Sequence, residues 1–596
     1  MKWFVGGINI ETRIMKENAV ELFEDYYSID APQNVVDFNL GNCSYVEIWN
    51  CKYRSTCSCG IDDEYILILG DIEIYNQDFI ADKYLNKKWN DTNPNILVDL
   101  YKLVGLDFLK DLNGEFSFAL FDRNKKMAYL VTDHLGTKPL FWLKNEDQLY
   151  FSSDIFLLQN FFDINLEKSY FKEFYYANGH LNSDKTPYGN LYRVPSGSYV
   201  CIPIDNNNVL KHKYWDLALL KDRIVYNSEE DYVNRFLDLL KSTVGRRLLY
   251  NDKDAVMMSG GMDSTSLFAV SKSITNTKIT PVCGVFEDLI DCDERHYIEQ
   301  ILDMYNLEPI YVFLDECGMF CDYPDNSYIT YEPHVSSLVF KFSEAIIKSV
   351  ADNGLENIIT GYGGDHLLTG TLLNTLDKCR KGKISEVYND IKSYSLMTNR
   401  SFFESIKEYV ISPLISSKCL PGIDDNIFIS LKEKLQEIPT FNQKELYVQM
   451  NCTKASHFQS REIGARYGIS IKNPFLDKEL IEFVFRIPGD LRLNKKYPKY
   501  ILRESMQGLL PKEVLGRVTK TEHVSLSYKG IVEKWSEVFP IVKEFRISCL
   551  DIVSISKEEW EEELLRFRSG QPVRYDFYLL LAIELWIFDY HRKLKN

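Results

Sequence analysis

The sequence predicts a two-domain α/β protein, with a strand-rich first domain over residues 1–215 and a parallel-sheet second domain over 216–596. Three observations predict it. The chain has 596 residues, more than one hydrophobic core ordinarily organises. Up to about residue 215, short strand-like segments follow one another with turns between them. From about residue 229, short apolar runs alternate with helical stretches. That alternation predicts βαβ units and a parallel sheet with helices on both faces.

The strands expected in the first domain are YILILGDIEIYN, GEFSFALFD, KMAYLVTD, PLFWL and QLYFSSD. In GEFSFALFD, Phe116, Phe118 and Leu120 fall on one face while Ser117 and Ala119 take the other. NPNILVDLYKLVG reads as a helix, and a further helix should begin near Ser228 without a long linker before it. In the second domain the expected strands are DAVMM, TPVCGVF, PIYVFL and NIIT. The helices between them are STSLFAVSKSI, ERHYIEQILDMYN and a long one near Ser337–Ala351. Residues 371–596 read as mostly helical, with no internal repeat.

Bulk properties exclude several roles. A formal charge of −17 argues against a surface that coats nucleic acid, although one nucleotide needs only a local anion site. MKWFVGGINIETR has no signal-peptide core before Glu11 and Arg13 interrupt it. The apolar stretch Tyr575–Tyr590 carries Asp576, Glu584 and Asp589, so it reads as a buried helix and not a membrane span. The cysteines are scattered: Cys57 and Cys59 stand too close for a zinc knuckle, and Cys317 and Cys321 have no second pair. A cytoplasmic protein with reduced thiols, and with neither a membrane nor a nucleic-acid partner, is the expectation.

Chemistry concentrates in two segments. Ser259-Gly260-Gly261-Met262-Asp263-Ser264 follows the first strand of the second domain and opens its first helix. Paired glycines let the backbone approach an anion, and a helix N-terminus offers N–H groups and the positive end of a dipole. Ser259 and Ser264 add hydroxyl donors, although the loop lacks the Lys-Ser/Thr ending of a Walker loop. Thr360-Gly361-Tyr362-Gly363-Gly364-Asp365 follows the NIIT strand and should emerge at the same sheet edge. Asp263 and Asp365 then become candidate ligands for a Mg²⁺ that bridges phosphates.

SGGMDS, GYGGD, NPFLDKELIEF and KYILRE resemble the synthetase domain of the asparagine synthetase family. DIEIYN, LNGEFSFALFD and DHLGTKPLF resemble that family's glutamine-hydrolysing domain. The resemblance covers nearly the whole chain. It implies an Ntn-hydrolase-like α+β first domain, a β-sandwich flanked by helices. It also implies a second domain of the PP-loop ATP pyrophosphatase type, using ATP and Mg²⁺ to adenylate a carboxylate and then form an amide. Met258 and Val285 correspond to adenine-pocket positions, and Lys520 in RVTKTEH to a lysine that stabilises charge on the adenylate and the tetrahedral intermediate. Arg517 is a weaker candidate for the same phosphates.

Two departures redirect the expectation. Where the family's glutaminase has a nucleophilic cysteine after the initiator Met, this chain has Lys2, and its first cysteine is Cys43. Asp71-Ile72-Glu73 stands where the glutamine pocket has Asn-Gly-Glu. Glutamine hydrolysis is therefore not expected. Branches without that cysteine, the β-lactam synthetases and lasso-peptide cyclases, use an amine already on the substrate. Tyr362 stands where β-lactam synthetases place a catalytic tyrosine; it is read either as a base assisted by Glu386, Glu404 or Glu408, or as an aromatic wall. RVTK and GARYGISIKNPFLD look more like lasso-peptide cyclases than asparagine synthetase, so macrolactam closure on a peptide is the expectation, with β-lactam-type closure of a small molecule or a glutamine-hydrolysing asparagine synthetase as the alternatives. The expected partners are a peptide or small-molecule substrate and a leader protease or precursor-peptide-binding protein. Asp293 and Glu294 are read as helix caps or ligand contacts, Asp477 as a turn or ligand residue, and His366 as a packed or hydrogen-bonded loop histidine before a base.

Overall fold

The computed structural model describes residues 3–594 except 9–13, 15, 28–33, 41–42, 50–60, 64, 86–94, 162–164, 180–183, 206–207, 326, 328–329, 416–424, 454–460, 462, 495–496 and 554. Position 2, Cys57 and Cys59 thus lie outside the described residues.

The first domain is built from β1 (Trp3–Ile8), β2 (Asn34–Leu40), β3 (Cys43–Trp49), β4 (Ile61–Asp63), β5 (Ile66–Ile74), β6 (Gly114–Asp122), β7 (Met127–Thr132), β8 (Phe141–Asn145), β9 (Gln148–Ser152), β10 (Tyr192–Arg193), β11 (Ser198–Pro203) and β12 (Leu210–Lys213). They form two six-stranded sheets, ordered β10-β8-β9-β1-β3-β2 and β12-β11-β7-β6-β5-β4, and every pairing is antiparallel. Phe4, Tyr45 and Phe151 of the first sheet meet Leu67, Leu69, Ala119 and Leu130 of the second in one core. The expected two faces of β6 are present. Ala119 enters that inter-sheet core, while Phe116, Phe118 and Leu120 pack beneath the helix Asn95–Val104. The outer face of the other sheet is covered from the far end of the chain. There Phe171 and Tyr188 meet Trp586, in the helix Phe577–Leu594.

That last helix bears out the reading of this stretch as a buried helix: from Asp576 to Tyr590 only Tyr578 is exposed. Its acidic residues are each partnered: Asp576 with Arg574, Glu584 with Arg546, and Asp589 with Arg592. Among the described residues, no helix is long and apolar enough to cross a membrane.

The second domain opens with α1 (Glu229–Gly245), which starts in a capping box: Ser228 accepts the Asp231 N–H while Asp231 accepts the Ser228 N–H. Then follow β13 (Asp254–Met257), α2 (Met262–Ile274), β14 (Ile279–Val285), α3 (Arg295–Tyr305), β15 (Ile310–Phe313), α4 (Phe340–Asp352) and β16 (Asn357–Ile359). They form a parallel sheet ordered β15-β14-β13-β16-β17, in which β17 is Ser470–Lys472. The described residues from 371 onward are mostly helical, as expected, and this fifth strand is set among the helices. Only three residues long, β17 shows no alternation of its own and is made a strand by pairing with β16. Sequence order reverses between β13 and β16, so the loops after them face one crevice, the ligand position of doubly wound sheets.

Candidate active site

The loop after β13 folds on its own hydroxyls. Ser264 Oγ accepts the Ser259 N–H at 3.0 Å and lies 3.0 Å from Ser259 Oγ, which accepts the Gly261 N–H at 3.2 Å. Gly261 is the N-cap of α2 without any side-chain cap, so the first turn of α2 points into the crevice unblocked by its own loop. The loop after β16 lies against it. A Cβ on Gly361 would sit 3.0 Å from the Ser264 nitrogen, and one on Gly364 would sit 2.5 Å from the Asp263 carboxyl carbon. The second loop is glycine-rich because it shares this space.

The two predicted carboxylates are brought together by a residue that sequence reasoning did not single out. Lys499 Nζ stands 2.5 Å from Asp263 Oδ2 and 2.6 Å from Asp365 Oδ1, and Lys520 Nζ reaches Asp365 Oδ2 at 2.8 Å. Lys499 holds a left-handed backbone (φ 56°) at the start of the helix Tyr500–Ser505, an uncommon conformation for a lysine. It lies in the quoted run KYILRE, but the neighbouring Lys495, Lys496 and Lys499 are equivalent as letters. Only the fold chooses one.

Electrostatics at this cluster are uneven. Burial pushes the Asp263 carboxyl above its ordinary value despite Lys499. Burial also works against Asp365, but there Lys499 and Lys520 outweigh it and hold the carboxyl below the usual range. Lys499 itself is disfavoured by burial, yet the two aspartates raise it above the ordinary lysine value. Asp263 Oδ1 is buried without a hydrogen-bond partner. A spare oxygen on a buried carboxylate, next to a second carboxylate, suits a divalent cation, and Asp263 and Asp365 are the residues that would hold Mg²⁺.

The remaining predicted residues fall around this cluster. Thr360 donates to Asn473 Oδ1 at 2.5 Å and accepts the Tyr362 N–H at 3.3 Å. Met258 and Val285 lie buried at the ends of β13 and β14; the Met258 N–H donates to the Val282 carbonyl and the Val285 carbonyl accepts from Leu314. Lys520 is 79% exposed along its side chain, free to follow a ligand. Tyr362 turns its hydroxyl to the Thr453 carbonyl at 2.6 Å. The three glutamates proposed to assist it have surroundings of their own. Glu386 pairs with Lys383, Glu408 pairs with Arg400, and Glu404 is exposed on a surface helix. His366 packs its ring 5.9 Å from that of Tyr362.

The other charged candidates each find a protein partner. Glu294 makes no side-chain cap on α3; it accepts the Gly260 N–H at 3.0 Å and pairs with Arg517 at 2.8 Å. Asp293 accepts the Phe286 N–H and pairs with Arg295. Arg517, 7% exposed, also donates to the Gly260 carbonyl and stacks on Tyr297, so it braces the loop. Asp477 is wholly buried and caps the helix Lys478–Arg486, paired with Arg247 at 2.8 Å.

In the first domain, Asp71 forms a buried ion pair with Lys138 at 2.6 Å, both side chains under 5% exposed. Cys43 is buried in the inter-sheet core.

Residues 235–538, just over half of the chain, match the family model described as asparagine synthase. The chain belongs to the asparagine synthase family. Residues 60–215 match the glutamine amidotransferase domain model, so the family's two-domain order is present. Asparagine synthetase 2 (glutamine-hydrolysing) of Bacillus subtilis (strain 168) is 25% identical over 549 residues, covering 88% of this chain and 71% of its own length. Asparagine synthetase B (glutamine-hydrolysing) of Escherichia coli (strain K12) is 23% identical, with 86% and 77% covered. Amidase chry2 of Gibberella zeae is 23% identical, with 75% and 74% covered. As a member of this family the protein is an ATP-dependent carbon–nitrogen ligase.

Proposed function

We propose that the enzyme adenylates a carboxylate with MgATP and joins it to an amine carried by the same substrate, closing a macrolactam on a peptide in the manner of a lasso-peptide cyclase. The observation that carries the adenylation half is the meeting of the two loops, with Asp263 and Asp365 sharing Lys499 beside the uncapped start of α2. A carboxylate oxygen attacks the α-phosphorus and pyrophosphate leaves. The amine nitrogen then attacks the acyl carbon, AMP leaves with the C–O electrons, and the amine loses a proton. Mg²⁺ held by Asp263 and Asp365 would neutralise the charge of the departing pyrophosphate. Lys520 reaches the developing negative charge from an exposed position, where a mobile ammonium is suited to the task. The buried Asp71–Lys138 pair supports an amine source other than glutamine, because a lysine neutralises a carboxylate on the inner face of the first domain. A precursor peptide, and a leader protease or peptide-binding protein that delivers it, are the partners this reading requires.

ATP–pyrophosphate exchange, screened across precursor-type peptides and small carboxylates, tests the reading. A matching substrate should give AMP and pyrophosphate by phosphorus NMR, and ADP with phosphate would refute adenylation. A glutamine-dependent amidation is the second reading, favoured by the amidotransferase match and by the names of the relatives. Glutamate released from glutamine alone, above background, would decide for it.

A further inference from the structure

The segment Lys472–Lys478 stands between the two domains and is gripped from the first. Glu73, at the end of β5, presents both carboxylate oxygens to Lys472 Nζ, at 2.7 and 2.5 Å. His134 Nε2 lies 3.1 Å from the Leu476 carbonyl. Asn113 donates to Asp477 at 3.1 Å, and Lys478 donates to the Lys110 carbonyl. Four residues of this seven-residue stretch thus hold first-domain partners.

The other side of the same segment backs the loop Thr360–Asp365. The Thr360 N–H donates to the Lys472 carbonyl at 2.9 Å, and the Thr360 hydroxyl donates to Asn473 at 2.5 Å. Gly363, at φ 91°, lies so close to Leu476 that a Cβ there would stand 2.6 Å from Leu476 Cδ2. Gly364 in turn packs on Asp263. A short series of contacts therefore runs from Glu73 through Lys472 and Thr360 to the carboxylate cluster. In the first of them the Lys472 side chain is 7% exposed and the Glu73 side chain 26%, so water reaches the pair from the Glu73 side only.

We propose that Glu73 is a positioning residue, through which the first domain sets the loop Thr360–Asp365 for nucleotide binding. This rests on the adenylation reading of that loop. The first domain then contributes to the reaction without any chemistry of its own. Burial would raise the Glu73 carboxyl, but Lys472 and Lys138 overcome it and keep the carboxyl below its ordinary value.

The test uses the full-length protein with Mg²⁺ and α,β-methylene-ATP, titrated calorimetrically, together with amide hydrogen exchange over residues 357–369. Glu73→Gln should weaken nucleotide binding by about tenfold or more and speed exchange of that segment. Glu73→Asp, which keeps the charge, should recover most of both. Lys126→Ala, which breaks an exposed first-domain pair with Asp205, should change neither. Wild-type affinity and wild-type exchange in Glu73→Gln would overturn the proposal. So would a lowered melting temperature in Glu73→Gln with affinity and loop exchange intact, which is the pattern of a merely structural contact. If the wild-type protein itself binds no nucleotide, the adenylation reading fails, while loop exchange still decides whether Glu73 holds the segment.

Discussion

The interface between the domains and the crevice above the parallel sheet are made from the same ingredients, carboxylates and cations, yet they are closed differently. At the interface Glu73 gives both oxygens to Lys472, and two residues away, within the first domain, Asp71 meets Lys138 in a buried pair. In the crevice a single buried lysine, Lys499, serves two aspartates, and Asp263 keeps one oxygen without a partner. A carboxylate whose charge is fully met can hold two surfaces together but has nothing left for a ligand. A buried carboxylate with an unmet oxygen costs stability until something binds, which is the mark of a site. The composition of a charge cluster says less than its unused valence.

The comparison breaks first at Asp263. Asp263→Ala should reduce pyrophosphate exchange and amide formation together to background while leaving the melting temperature near that of the wild type, since Asp263 is an incompletely met group. A large drop in melting temperature with exchange retained would place Asp263 among the braces instead. Next in size is Lys138→Met, which removes the buried cation paired with Asp71 and should destabilise the fold by about 4 kcal/mol in urea unfolding. Replacing Asp71 and Lys138 together should be much milder, and equal losses in the single and double variants would show that the pair is not the source of the cost.

Lys520→Ala should slow amide formation by about 3 kcal/mol in barrier, roughly a hundredfold, while pyrophosphate exchange persists. Exchange lost as completely as in Asp263→Ala would assign Lys520 to the adenylation step. The smallest expected effect concerns a buried carboxylate that is neither brace nor site. Asp322 is pushed up to about 6, mainly by burial; Lys341 lies 4.0 Å away and gives its closer contact, 2.7 Å, to Glu344. Because the folded state holds this proton more tightly than the unfolded chain, the wild-type protein loses stability as pH rises from about 4 through 6. Asp322→Asn should therefore be more stable than the wild type by about 2 kcal/mol above pH 6, with the gain vanishing near pH 4. A gain independent of pH would show that the cause is packing.

Much of the architecture was legible because it rests on short-range rules. The two faces of GEFSFALFD, the helix start at Ser228 and the glycine pair after β13 each follow from residues within one turn or one strand of each other. The spacing of apolar runs after residue 229 likewise reports βαβ units directly. Less of the site was legible. SGGMDS and GYGGD mark their loops by glycine and by position after a strand, and Asp263 and Asp365 do converge. Lys499 is one letter among several lysines, β17 is too short to show a period, and Glu294 at the head of a helix has the sequence appearance of a cap.

By itself, then, the sequence determined the two-domain order, the parallel sheet and the two loops, since periodicity and backbone freedom are properties of neighbouring residues. Only the tertiary structure decided which charges meet. It brings Lys499 236 positions along the chain to Asp263, Arg517 to Gly260, and Glu73 399 positions to Lys472. An ion pair depends on a separation of a few ångströms in space, and pairs so far apart in the chain acquire that separation only when the sheets and helices between them have packed.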